Sequence, residues 1–359
     1  MDAAKTTERP AGIVALEQFF TKGARLIDDE LILRIAPSGI RFQVWLWSPT
    51  WMRNGIFRLY ERLIPGVWAI FCCRKRFIED KAQDAVQAGV KAVVNLGAGL
   101  DTLVYRSPAL QELPAWEVDQ AVNVETKQAG LVRALGAVPE RVTQVAIDFD
   151  HEDLAKTLAA HGYRRDVPTL FIFEAVSQYL TEAGIFATFE HLAGAPTGSR
   201  LAFTYVQRSF LEGREVGELK LLYKQVVRKK LWLFGLDPDE VADFLLPYGW
   251  HVLEHVDSAE LAARYMYVGR LVIRFTVSQP ITKFHPIVGH SAVHYCWAES
   301  QDWIYLVSNE QVAIQKKIWG NPNDIWADPE DAYYFYYHRW GEYLPNKKLK
   351  YKVYSADSA

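Results

Sequence analysis

Cysteine is scarce in this 359-residue chain, at Cys72, Cys73 and Cys296 only. The three make no metal-binding spacing and no even disulfide framework, so a reducing, cytoplasmic setting is expected. Charge of one sign is also scarce. Lys and Arg total 40 against 43 Asp and Glu, a formal net charge of −3 with no long run of either, so nothing requires a nucleic acid as partner. The most membrane-like stretch, Ile64 to Cys73 (IPGVWAIFCC), is far too short to span a bilayer, so no transmembrane segment is expected. It reads as a buried helix, with a peripheral membrane contact as the lesser alternative. The opening MDAAKTTERP lacks the basic-then-apolar order of a signal peptide. His290 and His294 with Cys296 have neither a second cysteine nor an HExxH glutamate, so no metal is expected. Asp28 and Asp29, without a third ligand, read as solvated or helix-capping carboxylates.

What is present is ample apolar material, half of all residues, and a length that suits one enlarged domain or a domain plus an appendage. The informative stretch is Lys91 to Arg106, KAVVNLGAGLDTLVYR. An apolar run, Ala92 to Leu96, stops at Gly97-Ala98-Gly99, and helical spacing resumes through Leu100, Leu103 and Val104. Strand, glycine turn and helix in that order let backbone N–H groups approach a ligand closely. A dinucleotide fingerprint would place a third glycine where Thr102 stands, and Asp101 in the turn would repel a diphosphate. Asp101 suits a cofactor bearing cationic groups, and S-adenosylmethionine has a sulfonium, an ammonium and no phosphate. The next apolar run, Ala115 to Val118, ends in Asp119, placed to accept from both hydroxyls of a ribose. Both cofactor classes need that acid, so Asp119 supports adenosine binding without choosing between them.

NLGAGLDTLVYR followed by WEVD resembles the leucine carboxyl methyltransferase family and its bacterial O-methyltransferase relatives, which share a turn of the form NLGAGxDTxxxR. RKRFIED before the turn, Asp148-Phe149 after the third strand and FEAVSQYL after the fourth look like counterparts of further family motifs in the family order. The resemblance implies a class I methyltransferase fold. It also implies S-adenosylmethionine held by Arg76, Gly97, Ala98, Gly99, Asp101, Asp119, Asp148, Phe149 and Glu174. In the family an arginine near Arg74 and Arg76 is tied to the cofactor carboxylate or the substrate, and an N-terminal helical segment closes over the cofactor. Plain core packing would explain the clustered Trp45, Trp47, Trp51 and Trp68 equally well.

Along the chain, residues 13–63 read mainly as helix, and RKRFIEDKAQDAVQAG as a helix ending at Gly89. Strands are expected at Ala92–Leu96, Ala115–Asp119, Val142–Ala146, Thr169–Phe173, Arg200–Tyr205, Trp250–Val256 and Leu271–Val277. Helices between them, notably Val122–Leu135, Glu152–His161 and Ala183–Ala193, imply an α/β, doubly wound, Rossmann-like sheet of seven strands with ligands at the strands' carboxyl ends. Three regions are expected: an N-terminal helical cap over 1–73, a cofactor-binding domain over 74–277, and an aromatic C-terminal extension over 278–359 packed on the core. Residues 207–248 read as a lid insertion, with Asp237-Pro238 opening a helix that Pro247 and Gly249 close. Arg228-Lys229-Lys230 on one helix turn reads as solvated surface.

Methyl transfer chiefly requires nucleophile and methyl to be held in line in a dry pocket. No histidine lies in the core motifs, which favours a carboxylate acceptor that is already ionised over a hydroxyl that needs a base. Arg74 and Arg76 could orient such a carboxylate, or Arg76 could simply pair with Glu79 and Asp80 on the helix surface. Glu174 would accept from the cofactor ammonium or a ribose hydroxyl, and Tyr179 would line the acceptor pocket or merely pack. The expected activity is O-methylation of a small or peptidic metabolite, with a homodimer left open. A cyclase retaining the cofactor and a non-catalytic binding module are the alternatives.

Overall fold

The computed structural model describes residues 8–20, 25–64, 66–266 and 293–300. All belong to the compact unit Met1–Gln301, while the second unit, Asp302–Ala359, lies outside the described residues. The expectation that 278–359 packs on the core falls mostly outside them too.

The N-terminal part is helical: α1 Glu8–Glu17, α2 Glu30–Ile35, α3 Ser38–Trp47, α4 Thr50–Leu63 and α5 Val67–Gln87. Leu26–Asp29, expected inside a helix, precede α2, whose first turn is capped by the Asp29 carboxylate accepting from Ile32 N–H at 3.1 Å. The 21-residue α5 joins the buried stretch Trp68–Cys73 to the RKRFIED motif, so one helix runs across the 73/74 boundary drawn from sequence.

Alternation then follows: β1 Ala92–Leu96, α6 Leu103–Arg106, β2 Ala115–Asp119, α7 Ala121–Leu135, β3 Val142–Ala146, α8 Leu154–Ala160, β4 Thr169–Phe173, α9 Glu182–Leu192 and β5 Arg200–Val206. After three short helices, α10 Arg208–Leu211, α11 Lys220–Val226 and α12 Val241–Leu245, come β6 Trp250–Asp257, α13 Ser258–Met266 and β7 Val293–Ser300. Pro238–Glu240, expected as the opening turn of a helix, form a turn ahead of α12, and Gly249 at φ 76° closes the segment.

The sheet order is β3-β2-β1-β4-β5-β7-β6. β1 to β5 pair in parallel, and β7 is antiparallel to both β5 and β6. The strand expected at Leu271–Val277 lies outside the described residues. The strand seated between β5 and β6 is Val293–Ser300, from the region that sequence assigned to the extension.

Helices on both faces explain the unbroken apolar runs, since parallel strands covered on both sides need apolar residues on both. Val93, Leu170, Ile172 and Ala202 face a core built with α1, α2 and α5. Their neighbours Val94, Leu96, Phe171, Phe173, Leu201 and Phe203 face another, built with α8, α9 and α12.

Candidate functional site

β1 and β4 are sheet neighbours although α6, β2, α7, β3 and α8 separate them in sequence. Their carboxyl ends therefore flank the switch point of the sheet, where open α/β folds bind ligands. Gly97 leaves β1 at φ 71°, and a Cβ there would overlap the side chain of Val176 in the loop after β4. Glycine is thus required both by conformation and by close approach of that loop.

The N–H groups of the turn are directed inward. Gly97 and Ala98 both donate to Val118 O, at 2.7 and 3.1 Å, and Gly99 donates to Asp119 Oδ2 at 2.6 Å. Asp101 N–H donates to Ala98 O at 2.8 Å, and Leu103 N–H to Asp101 Oδ1 at 2.8 Å. The sequence suggested N–H groups offered to a ligand; these five are already bonded, because the turn is folded onto β2. Asp119 is nearly saturated as well, its Oδ1 accepting from Gln120 N–H and Asn123 Nδ2 at 2.7 Å each.

Two helical cations close the site. Arg74 Nε donates to Glu174 Oε1 at 2.6 Å, and both side chains are buried. Lys75 Nζ reaches Glu174 Oε2 at 3.1 Å and also pairs with Asp101 Oδ2. Burial opposes ionisation of Asp101, but Lys75 and Lys127 outweigh it and hold its carboxyl at about 2. Burial likewise disfavours the Lys75 ammonium, yet Asp101 and Glu174 raise its pKa above the ordinary lysine value. Two cations and two anions balance here. Such a buried cluster contributes little net stability, and it stands at the switch point of the sheet.

Glu174 sits in a constrained loop. Ala175 adopts φ 58°, uncommon for a residue with a Cβ, and its N–H donates to Thr204 Oγ1 at 2.7 Å, while Ser177 Oγ donates to Thr204 O at 2.7 Å. Strain of this kind costs about 1–3 kcal/mol and tends to occur at ligand sites.

A second buried set supports the turn from behind. Lys127 of α7 pairs with Glu117 of β2 at 2.7 Å, and Tyr105 OH donates to Glu117 Oε2 at 2.6 Å. Burial raises the Glu117 carboxyl despite that lysine. Thr102, standing where a dinucleotide site has glycine, donates through Oγ1 to Asp29 Oδ2 at 2.6 Å and ties the α2 cap to the turn.

The remaining expected residues are placed differently. Arg76 is not brought to the cluster; it stands 41% exposed with Nε 2.9 Å from Asp80, the helix-surface pairing weighed as the alternative. Glu79, offered there as a second partner, pairs with Arg106 at 2.9 Å. Asp148 lies exposed beyond β3, its Oδ2 3.0 Å from His151 Nδ1, and Phe149 is buried in the core. Tyr179 is half-buried, edge-on to Trp232 with ring centroids 6.5 Å apart. Trp68 is core, its Nε1 donating to Glu17 Oε2 at 2.9 Å, whereas Trp45 and Trp51 are exposed. Sequence reasoning missed Lys75 and Lys127. Lys75 was visible inside the basic triplet, but only the rotation of α5 shows which of the three faces the sheet. Among the described residues no group of His, Cys, Asp and Glu is arranged to hold a metal ion, and no helix is long and apolar enough to cross a membrane.

Comparison with known proteins agrees with the motifs. The family profile described as leucine carboxyl methyltransferase matches residues 7–193, just over half of the chain. A Streptomyces coelicolor protein named as a candidate S-adenosyl-L-methionine-dependent methyltransferase is 30% identical over 185 residues, covering 51% of this chain and 62% of that protein. A Mycobacterium marinum protein of the same description is 37% identical over 137 residues, covering 37% and 44%. The chain thus spans less than two thirds of the length of these relatives. A solved structure from Streptomyces avermitilis, a DUF574 family protein, aligns at 16% identity and a TM-score of 0.46, covering 70% of this chain and 91% of that one. Match, glycine turn and the ordered motifs around it converge: the chain belongs to the leucine carboxyl methyltransferase family.

Proposed function

We propose that the protein is an S-adenosylmethionine-dependent O-methyltransferase acting on a carboxylate, or a hydroxyl, of a small or peptidic metabolite. The observation that carries this reading is the inward-turned glycine loop. With the N–H groups of Gly97, Ala98, Gly99, Asp101 and Leu103 bonded within the protein, the turn offers no nest for a diphosphate, and the buried carboxylates of Asp101 and Glu174 stand beside it. A cofactor with an adenosine, an ammonium and a carboxylate fits these residues. Asp119 has about one of a carboxylate's four acceptor positions left, enough for one ribose hydroxyl. Arg74 and Lys75 are the cations for a carboxylate, and Glu174 the acceptor for an ammonium. When bound, the cofactor supplies a methyl group on a cationic sulfur.

The chain's own part is to bind, orient and exclude water. The 207–248 insertion serves as a cover in this reading, supported by two contacts with the loop that carries Glu174: Tyr179 against Trp232, and Leu233 N–H donating to Gln178 O at 2.6 Å. The 1–73 segment serves as the other wall, supported by the Asp29–Thr102 bond. A carboxylate acceptor is supported by the make-up of the Arg74–Lys75–Asp101–Glu174 cluster, which contains no imidazole to act as a base.

Turnover with candidate acceptors, followed by mass spectrometry of both products, tests the reading. The expected outcome is S-adenosylhomocysteine together with an alkali-labile methyl ester, formed at a rate that shows no enzyme base titrating between about pH 6 and 8. An alkali-stable methyl ether would reject the carboxylate acceptor. A product without an added methyl group, formed without S-adenosylhomocysteine, would reject methyl transfer.

A further inference from the structure

Helices α3 and α4, joined through Ser48-Pro49, turn the wrong kind of surface outward. A helix on a soluble core ordinarily exposes its polar side. Here Ile40 and Val44 of α3 are buried, and Phe57 of α4 packs edge-on against Trp68 at 5.5 Å. The opposite side is still apolar: Phe42 is 64% exposed, Trp45 65%, Trp51 73%, with Leu46, Leu59 and Leu63 also exposed. On α4, Trp51, Leu59, Leu63 and the open Gly55 recur at helical spacing, so this is one face and not scattered residues. The described exposed charges on the two helices are Arg41, Arg58 and Arg62, all of one sign. In sequence the pair carries four arginines and a single acid, Glu61.

We propose that this pair of helices docks the protein on an anionic lipid surface, lying in the plane of the headgroups. Interfacial helices combine aromatic and aliphatic side chains on the buried face with basic residues that meet anionic headgroups. Tryptophan is the side chain enriched at that depth, and arginine stems extend along apolar surface while the guanidinium stays in the polar layer. The described exposed charge, Arg41, Arg58 and Arg62, is complementary to anionic lipid. The stretch Ile64–Cys73, which the sequence made the lesser membrane alternative, is not the contact, because Trp68, Ala69, Cys72 and Cys73 are buried in α5. The proposal does not depend on methyl transfer.

Flotation of the full-length protein with vesicles tests it, using phosphatidylcholine alone and phosphatidylcholine mixed with phosphatidylglycerol. Each exposed arginine contributes about fivefold to partition near an anionic surface, so partition onto the mixed vesicles should exceed that onto neutral ones by about a hundredfold, and should fall with salt. Trp45→Ala with Trp51→Ala should lower partition about tenfold without loss of fold. The triple variant Arg41→Glu, Arg58→Glu, Arg62→Glu should prefer vesicles containing a cationic lipid. Hydrogen exchange should slow within residues 38–63 when mixed vesicles are added. Equal partition onto neutral and anionic vesicles, or none onto either, would overturn the proposal. So would a homodimer in solution that the Trp45→Ala, Trp51→Ala variant abolishes, since a second copy would then already cover the face.

Discussion

Replacing Asp119 by alanine perturbs fold and ligand binding through one carboxylate, and the two effects can be measured apart. Asp119 Oδ2 accepts from Gly99 N–H at 2.6 Å, and Oδ1 from Gln120 N–H and Asn123 Nδ2 at 2.7 Å each. The position left over is the one proposed for a ribose hydroxyl. Losing a hydrogen bond to a charged acceptor costs about 1.5–3 kcal/mol, a roughly ten- to hundredfold weaker affinity. Stability falls separately. Gln120 is exposed and its N–H can turn to water, but Gly99 is buried, and leaving its N–H unpaired costs about 1–3 kcal/mol. Asp119→Asn should not restore the site. Donors face both oxygens of the native carboxylate, whereas an amide has one accepting oxygen, so its NH2 group must meet one of those donors. The assay is calorimetric titration with S-adenosylhomocysteine beside thermal unfolding of the same samples. Wild-type affinity in a folded alanine variant, or full affinity in the asparagine variant, would refute the assignment of this carboxylate to the ligand.

Lys75→Met leaves Asp101 and Glu174 short of a cation in a buried site and should destabilise the protein by about 3–5 kcal/mol in denaturant titrations. Its pH signature is specific. Asp101, lowered from 3.8 to about 2, contributes on the order of 2 kcal/mol that is present above 3.8 and lost as pH falls through 2. Without Lys75 that carboxyl protonates earlier, so acid unfolding should begin at a higher pH than in the wild type; an unchanged acid limb would contradict the pairing. Gly97→Ala puts a methyl group into the Val176 side chain at a positive φ, and binding of S-adenosylhomocysteine should be lost. Adding Val176→Ala should recover it only in part, because the φ penalty stays; complete recovery would make the clash the sole constraint. Arg74→Lys keeps the charge and loses the Nε–Glu174 bond, so turnover should fall about a hundredfold with the fold intact. Turnover within a factor of a few of wild type would remove Arg74 from the site.

The sequence alone determined the parallel core and the strand ends where the ligand site is proposed. Strands β1 to β6 agree with the expected runs to within a residue; for β1, β4 and β5 the reason is that a strand covered on both faces must be a short apolar run, with glycine or polar residues in the turns that bound it. The glycine turn, Asp119 and Glu174 were legible for a related reason, since the end of an apolar strand is itself a position in space. Tertiary structure decided what depends on rotation about a helix and on contacts distant in sequence. Arg74, Lys75 and Arg76 are consecutive on α5, and at about 100° per residue they point three ways; only the seating of α5 on the sheet sends the first two to Glu174, while Arg76 keeps the local i,i+4 pairing with Asp80 that the sequence offered as the alternative. The Asp29–Thr102 bond joins residues 73 apart, which no local pattern encodes. The strand seated between β5 and β6 was also placed by the tertiary structure. Two stretches of the C-terminal region, HSAVHYCW and DWIYLV, alternate apolar and polar residues and read as strands from sequence, and the strand that pairs with β5, Val293–Ser300, overlaps the first. The outward aromatic face of α3 and α4 also needed the fold, because helical periodicity locates an apolar stripe but not whether the core or the solvent receives it.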